Sequence, residues 1–152
     1  MKYSLILLSA LLVAACGGLT KEQQLNAYNE IVAEFNETVD LALKTYESAA
    51  DAATTEDEGI QALSELYSTY AGAEFSFANA LEEVAWTSDL EGPSGELIAC
   101  SREVYVLQLE VIAATTLEEA TNLADAADAK SNSCDAEVEA LIDALDAELV
   151  PN

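Results

Sequence analysis

From Leu25 to Ala53 the chain carries apolar or small residues that step by three and four alternately: Leu25, Tyr28, Val32, Phe35, Val39, Ala42, Tyr46, Ala49 and Ala53. That is a four-heptad stripe, the period of one face of an α-helix and not of a strand. Thr20, with Gln23 three residues on, has the spacing of a capping box and sets the predicted helix start. Glu30, Glu34 and Glu37 fall out of phase with the stripe and belong to a solvated face. A face this long must find a partner, so the chain is expected to build helix against helix.

The partner follows almost at once. Thr55 and Glu58 form a second capping-box pair, and Ile60, Leu63, Tyr67, Tyr70, Glu74, Phe77, Leu81 and Val84 repeat the spacing. Only Thr54 and its neighbours separate the segments, which predicts an antiparallel hairpin. Glu74 is the one acid on this stripe, and burial of an unpartnered carboxylate is costly. Two accommodations are open: a buried, hydrogen-bonded acid, with Tyr28, Tyr46, Tyr67 and Tyr70 as candidate donors, or an acid snorkelling past an alanine-rich neighbour. Structural accommodation is preferred to a functional acid, because the stripe carries no partner of catalytic type.

Trp86 closes the second segment, and Thr87 to Gly95, with Gly92 and Pro93, reads as the one real loop. Ser94 then stands as N-cap of a third segment reaching about Ala129. Its stripe runs Leu97, Cys100, Val104, Leu107, Val111 and Ala114 before Glu118 and Asp125 fall on it. A shifted register, Leu117, Ala120, Ala124 and Ala127, takes over after Thr115-Thr116, and Thr116 with Glu119 has capping-box spacing. A last helix follows Ser133 with Val138, Ile142, Leu145 and Leu149 on one face, and Pro151 ends it. The fold class is all-α, an antiparallel bundle of four helices, or five if the third breaks near Thr115.

Two cysteines bear on that choice. In an unbroken third helix, residues 100 and 128 stand about 42 Å apart at 1.5 Å per residue. Cys134, six residues further on, then cannot reach Cys100, since a disulfide needs α-carbons about 5 to 6 Å apart. A break folds the chain back and brings the two together. Against the break stands length: an unbroken 96–129 helix would cover the whole exposed seam of the first two, and neither Gly nor Pro marks a turn. The unbroken helix is the preferred reading.

Ahead of all this lies a different kind of segment. Lys2 supplies one positive charge, Leu5 to Val13 an apolar run, and Val13-Ala14-Ala15-Cys16 a small-residue site ending in a thiol. The run is about half of the roughly 20 residues a spanning helix needs. Residues 1–16 resemble the signal and lipobox of bacterial lipoproteins. The resemblance implies cleavage before Cys16 and lipidation of its sulfur, a covalent anchor and not a span. It also implies that Gly17, where an Asp would favour inner-membrane retention, directs the chain onward. The expected location is the periplasmic face of the outer membrane in a two-membrane bacterium, and otherwise the outer cell surface. The resulting divisions are a signal peptide 1–15, the lipidated Cys16 with a short tether 16–19, and one helical domain 20–150. With Cys16 assigned to lipid, Cys100 and Cys134 remain as an even pair in an oxidising compartment, which suggests a disulfide.

Composition narrows function chiefly by exclusion. The chain has 29 acids against 5 bases, net −24, and loss of Lys2 with the signal leaves four bases and net −25. The acids spread from Glu22 to Glu148, so the charge belongs to a whole surface and not to a tail. Such a surface repels nucleic acid and anionic headgroups, while permitting cationic partners and salty surroundings. Apolar residues make up 51% of the chain, which argues for a packed core and against disorder.

The chain has no histidine. That removes Ser-His-Asp triads, Cys-His pairs, the usual zinc sites and histidine-ligated haem, and with them the Glu-x-x-His di-iron centre found in some bundles. Neither Glu56-Asp57-Glu58 nor Asp135 to Glu139 has the pattern of an EF-hand, and both suit helix starts. No metal or cofactor is expected beyond the lipid on Cys16.

The expected function is a lipid-anchored, non-enzymatic binding or structural module of the cell envelope, tethered to a membrane and docking a cationic or envelope protein. The alternatives are an acidic inhibitor or sink for cationic proteins, peptides or divalent cations, and a hydrolase using a carboxylate pair. Trp86 and Leu90, beside the Gly-Pro loop, mark the bundle end where recognition is expected.

Overall fold

The computed structural model describes residues 19–146. The signal segment, Cys16, Leu149 and Pro151 lie outside the described residues. Five helices follow one another: α1 (Lys21–Ala52), α2 (Glu56–Glu83), α3 (Glu91–Ala113), α4 (Leu117–Ser133) and α5 (Asp135–Asp146). They form an all-α antiparallel bundle in which α4 and α5 together make the fourth column.

The first two helices begin where the capping pairs stand. Thr20 Oγ1 accepts from the Gln23 N–H at 3.2 Å, and Gln23 Oε1 accepts from the Thr20 N–H at 2.9 Å. At α2, Thr55 Oγ1 accepts from the Glu58 N–H, while Glu58 Oε2 accepts from the backbone N–H groups of Thr54 and Thr55. The bonds from Thr54 lead in holding the Glu58 carboxyl below its ordinary range. Each cap satisfies donors that a helix start leaves open.

The third segment departs from expectation: it is broken. α3 stops at Ala113, Ala114 has extended backbone, and Thr116 caps α4 by accepting from the Glu119 N–H at 3.2 Å. Glu119 Oε2 accepts in turn from the Thr115 N–H at 2.9 Å. Side-chain capping makes the turn without glycine or proline. Continuing the helix would have put Glu118 and Asp125 on the buried stripe; turning back exposes both and buries Ala120, Ala124 and Ala127. Without a helix over it, the outer half of the α1 stripe is only half-buried: Ala42 is its last buried residue, Tyr46, Ala49 and Ala53 are half-buried, and Leu41 beside the stripe is 66% exposed. Alanines make up much of that stretch, while Leu41 and Leu43 remain open to solvent.

The start of α3 also differs from expectation. Ser94 lies inside the helix, buried, its hydroxyl donating to the Leu90 carbonyl at 2.7 Å. The helix starts at Glu91 because Thr87 O accepts from the N–H groups of both Leu90 and Glu91, and Pro93 sits in the first turn, where a missing N–H costs nothing.

α2 packs against both α1 and α3. The fourth column changes partners along its length: α4 packs on α3 and α2, whereas α5 packs on α3 and α1. No α-carbon of α4 comes within 8 Å of one in α1. The bundle is therefore closed around α5 and open along α4. Leu81, Leu90, Leu97, Leu141 and Leu145 with Tyr28 form the core of the closed end, and Leu66, Tyr67 and Val111 with alanines of α1 and α4 form the other.

Candidate functional site

The change of partners happens at Cys134. This residue ends α4, and its carbonyl accepts from the N–H groups of Glu137 and Val138 at 3.1 and 3.0 Å to start α5. A disulfide joins Cys134 to Cys100 on α3. The corner thus stands fixed against α3 while the column crosses from α2 toward α1.

Beneath the corner lies a cleft of about 260 Å³. α1 contributes Tyr28, Val32, Phe35 and Asn36 to its wall, and α2 contributes Glu74 and Phe77. Ser101, Val104 and Val138 complete the side beneath Cys134. The rings of Phe35 and Phe77 meet at 5.1 Å between centroids, so the α1–α2 wall is held by aromatic contact. Two longer grooves, of about 420 and 450 Å³, run along the outside of the α1–α2 hairpin. Neither has a buried acid in its lining. The corner cleft has one.

That acid is Glu74, 7% exposed. The donor that satisfies it is the Ser101 hydroxyl, in a short hydrogen bond to Oε2, and not one of the candidate tyrosines. Burial pushes the Glu74 carboxyl above its ordinary range, and the Ser101 bond opposes the shift only in part. Sequence periodicity marked Glu74 as anomalous but gave no sign of Ser101, which stands one position away from Cys100 on α3. The fully exposed register of a serine and the buried one look alike in a sequence.

The tyrosines have other tasks. Tyr28 is buried at the cleft wall, and burial raises its phenol. Tyr67 donates to Asp128 Oδ1 on α4 at 2.9 Å, and burial together with that carboxylate pushes its phenol far up. Tyr70 meets Tyr67 edge-on at 5.6 Å.

Comparison of the chain with protein-family models, curated proteins and solved structures finds no match.

The bundle end expected to carry recognition is filled from within. Leu90 is completely buried in the leucine core, and the Trp86 indole is half-buried with Nε1 donating to the Leu81 carbonyl at 2.8 Å. Leu90 is thereby enclosed and presents no surface for recognition, whereas Trp86 keeps part of its ring at the surface of that end. Gln24, which the periodicity did not single out, plugs the same end: it is fully buried and its Nε2 donates to the Ala85 carbonyl at 2.7 Å. Lys21 closes it by pairing with Asp89 at 2.5 Å and donating to the Ala144 carbonyl at 3.3 Å. The Lys21 and Thr87 side-chain bonds lower the Asp89 carboxyl to about 2. Among the described residues no group of three His, Cys, Asp or Glu side chains is placed to hold a metal ion.

Proposed function

We propose that the chain is a lipid-anchored, extracytoplasmic, non-enzymatic binding module of the cell envelope, with the cleft beneath Cys134 as its binding site. The cleft is the observation that carries the reading: it is concave, largely apolar and lined by one buried titratable carboxyl, the composition of a small-molecule site. Its position supports the reading as well, because Cys134, which lines it, is tied by the disulfide to Cys100 on α3. Glu74 is held by a serine hydroxyl, and the chain offers no histidine as a catalytic companion. Binding, not turnover, is what such a pair supports.

The anchor half of the proposal rests on residues 1–16 and their resemblance to lipoprotein signals. Two or three acyl chains at Cys16 would hold firmly, at about 0.8 kcal/mol per buried methylene. Mass measurement of the chain extracted from membranes tests it. The expected product starts at Cys16, carries acyl mass on that residue, and has no free thiol until reductant is added. A chain that still begins at Met1, or a Cys16 free to react with a thiol reagent, would remove the anchor from the proposal.

A further inference from the structure

We infer that the cleft beneath Cys134 binds a small organic cation, its ammonium head against Glu74 and its hydrocarbon body against Tyr28, Phe35 and Val138. This rests on reading the cleft as a binding site and deepens it by naming the ligand class.

The lining decides the sign of the ligand's charge. No Lys or Arg side chain lines the cleft, and its titratable groups are Tyr28 from α1, Glu74 from α2 and Asp135 from α5. An anion would meet two carboxylates, a phenol and the neutral polar groups of Asn36, Ser101 and Ser131 there, without a cation to offset its lost hydration. Glu74 itself has acceptor capacity to spare: a carboxylate offers about four acceptor sites, and Ser101 takes one. Its raised titration has burial as its leading cause, with no protein cation opposing it. A carboxyl in that condition gains most from a counter-ion that arrives with the ligand.

Shape decides the rest. The walls beside Glu74 are the side chains of Tyr28, Val32, Phe35 and Phe77, which suit a hydrocarbon body, and aromatic faces also attract cations. About 260 Å³ holds eight or nine water-sized groups at about 30 Å³ each, so the ligand is a compact amine and not a peptide. The surrounding net charge of −24 concentrates such cations near the opening.

The intact chain, isolated from cells and isotope-labelled for NMR, is titrated with cyclohexylammonium and separately with cyclohexanol, a neutral molecule of the same size. The expected result is that cyclohexylammonium shifts the amides of Ser101, Val104 and Val138 and binds at least tenfold more tightly than the alcohol. Glu74→Gln should bring the two affinities to within about twofold, while Asp143→Asn on the exposed face of α5 leaves the preference in place. Circular dichroism of the Glu74→Gln chain confirms that it is folded. Equal affinities in the unaltered chain, a preference that survives Glu74→Gln, or no binding of either probe would each overturn the assignment. Binding of the amine by a chain without acyl mass at Cys16 would leave this inference standing and remove only the anchor.

Discussion

Cys100 and Cys134 are bonded with their α-carbons 5.9 Å apart across a sequence separation of 34, joining the middle of α3 to the corner between α4 and α5. The bond is compatible only with a chain that turns back after Ala113. Loop-closure entropy for a separation of this size is worth about 4 kcal/mol. Replacing both cysteines with alanine is expected to lower unfolding free energy by up to that amount, measured by urea denaturation with and without reductant. A chain whose midpoint ignores both reductant and replacement would show that the corner is held by other contacts.

Glu74 makes stability depend on pH in a defined direction. Burial raises its folded-state titration above the unfolded value, so the stabilising contribution is complete below about pH 4 and fades as pH rises through the raised value. Glu74→Gln keeps an acceptor for Ser101 but never ionises. The variant should match the parent at pH 4 and exceed it in stability at pH 8, the gap opening at no more than about 1.4 kcal/mol per pH unit. Urea midpoints at pH 4, 6 and 8 check this. A gap that is constant with pH would mean that Glu74 does not titrate in this range.

Thr116→Ala tests the break by its sign. At an N-cap the change removes the oxygen that accepts from the Glu119 N–H and costs about 1 kcal/mol. Inside a continuous helix the same change would be favourable by a few tenths, since alanine is the better helix former. Thermal melting of the variant is expected to show destabilisation. A rise in melting temperature would contradict the turn.

Salt should stabilise the protein. The ion pairs Arg102–Glu82 and Lys130–Glu103 lie toward solvent and are worth little, whereas repulsion within a net charge of −24 acts over the whole surface. Raising ionic strength from 0.1 to 1 M shortens the screening length from about 10 to 3 Å. The melting temperature followed by circular dichroism is expected to increase over that range. A flat or falling profile would mean that acid repulsion is not a significant destabilising force.

Much of the fold is legible in the chain because helical period and capping are local. Tyr28, Tyr67, Leu81, Leu97, Val104 and Leu145 stand on the predicted stripes and are buried, and Thr20, Thr55 and Thr116 cap helices. The conflict between Glu118 and the earlier register is legible too, and in the fold it outweighs the covering of α1 by a longer helix. The places of Leu90 and Ser94 are not legible, because a Gly-Pro stretch normally marks a loop, whereas here a buried leucine anchors a helix that begins before the proline. Ser101 and Gln24 could not be identified as polar core residues, since burial of a hydroxyl or amide depends on which helix lies opposite.

By itself the sequence determined an all-α hairpin-based bundle, a dense negative surface, a chemistry without histidine and one acid on an apolar stripe, because each follows from composition or from spacing within a single helix. Only the tertiary structure decided that Ser101 holds that acid, that Cys134 meets Cys100, and that the fourth column leaves α2 for α1 at the same residue. Those are relations between segments up to 110 residues apart in the chain, from Tyr28 to Val138, and they are set by which surfaces fit together. The cleft exists because a corner was fixed where the column changes partners, and no periodicity within one helix records that.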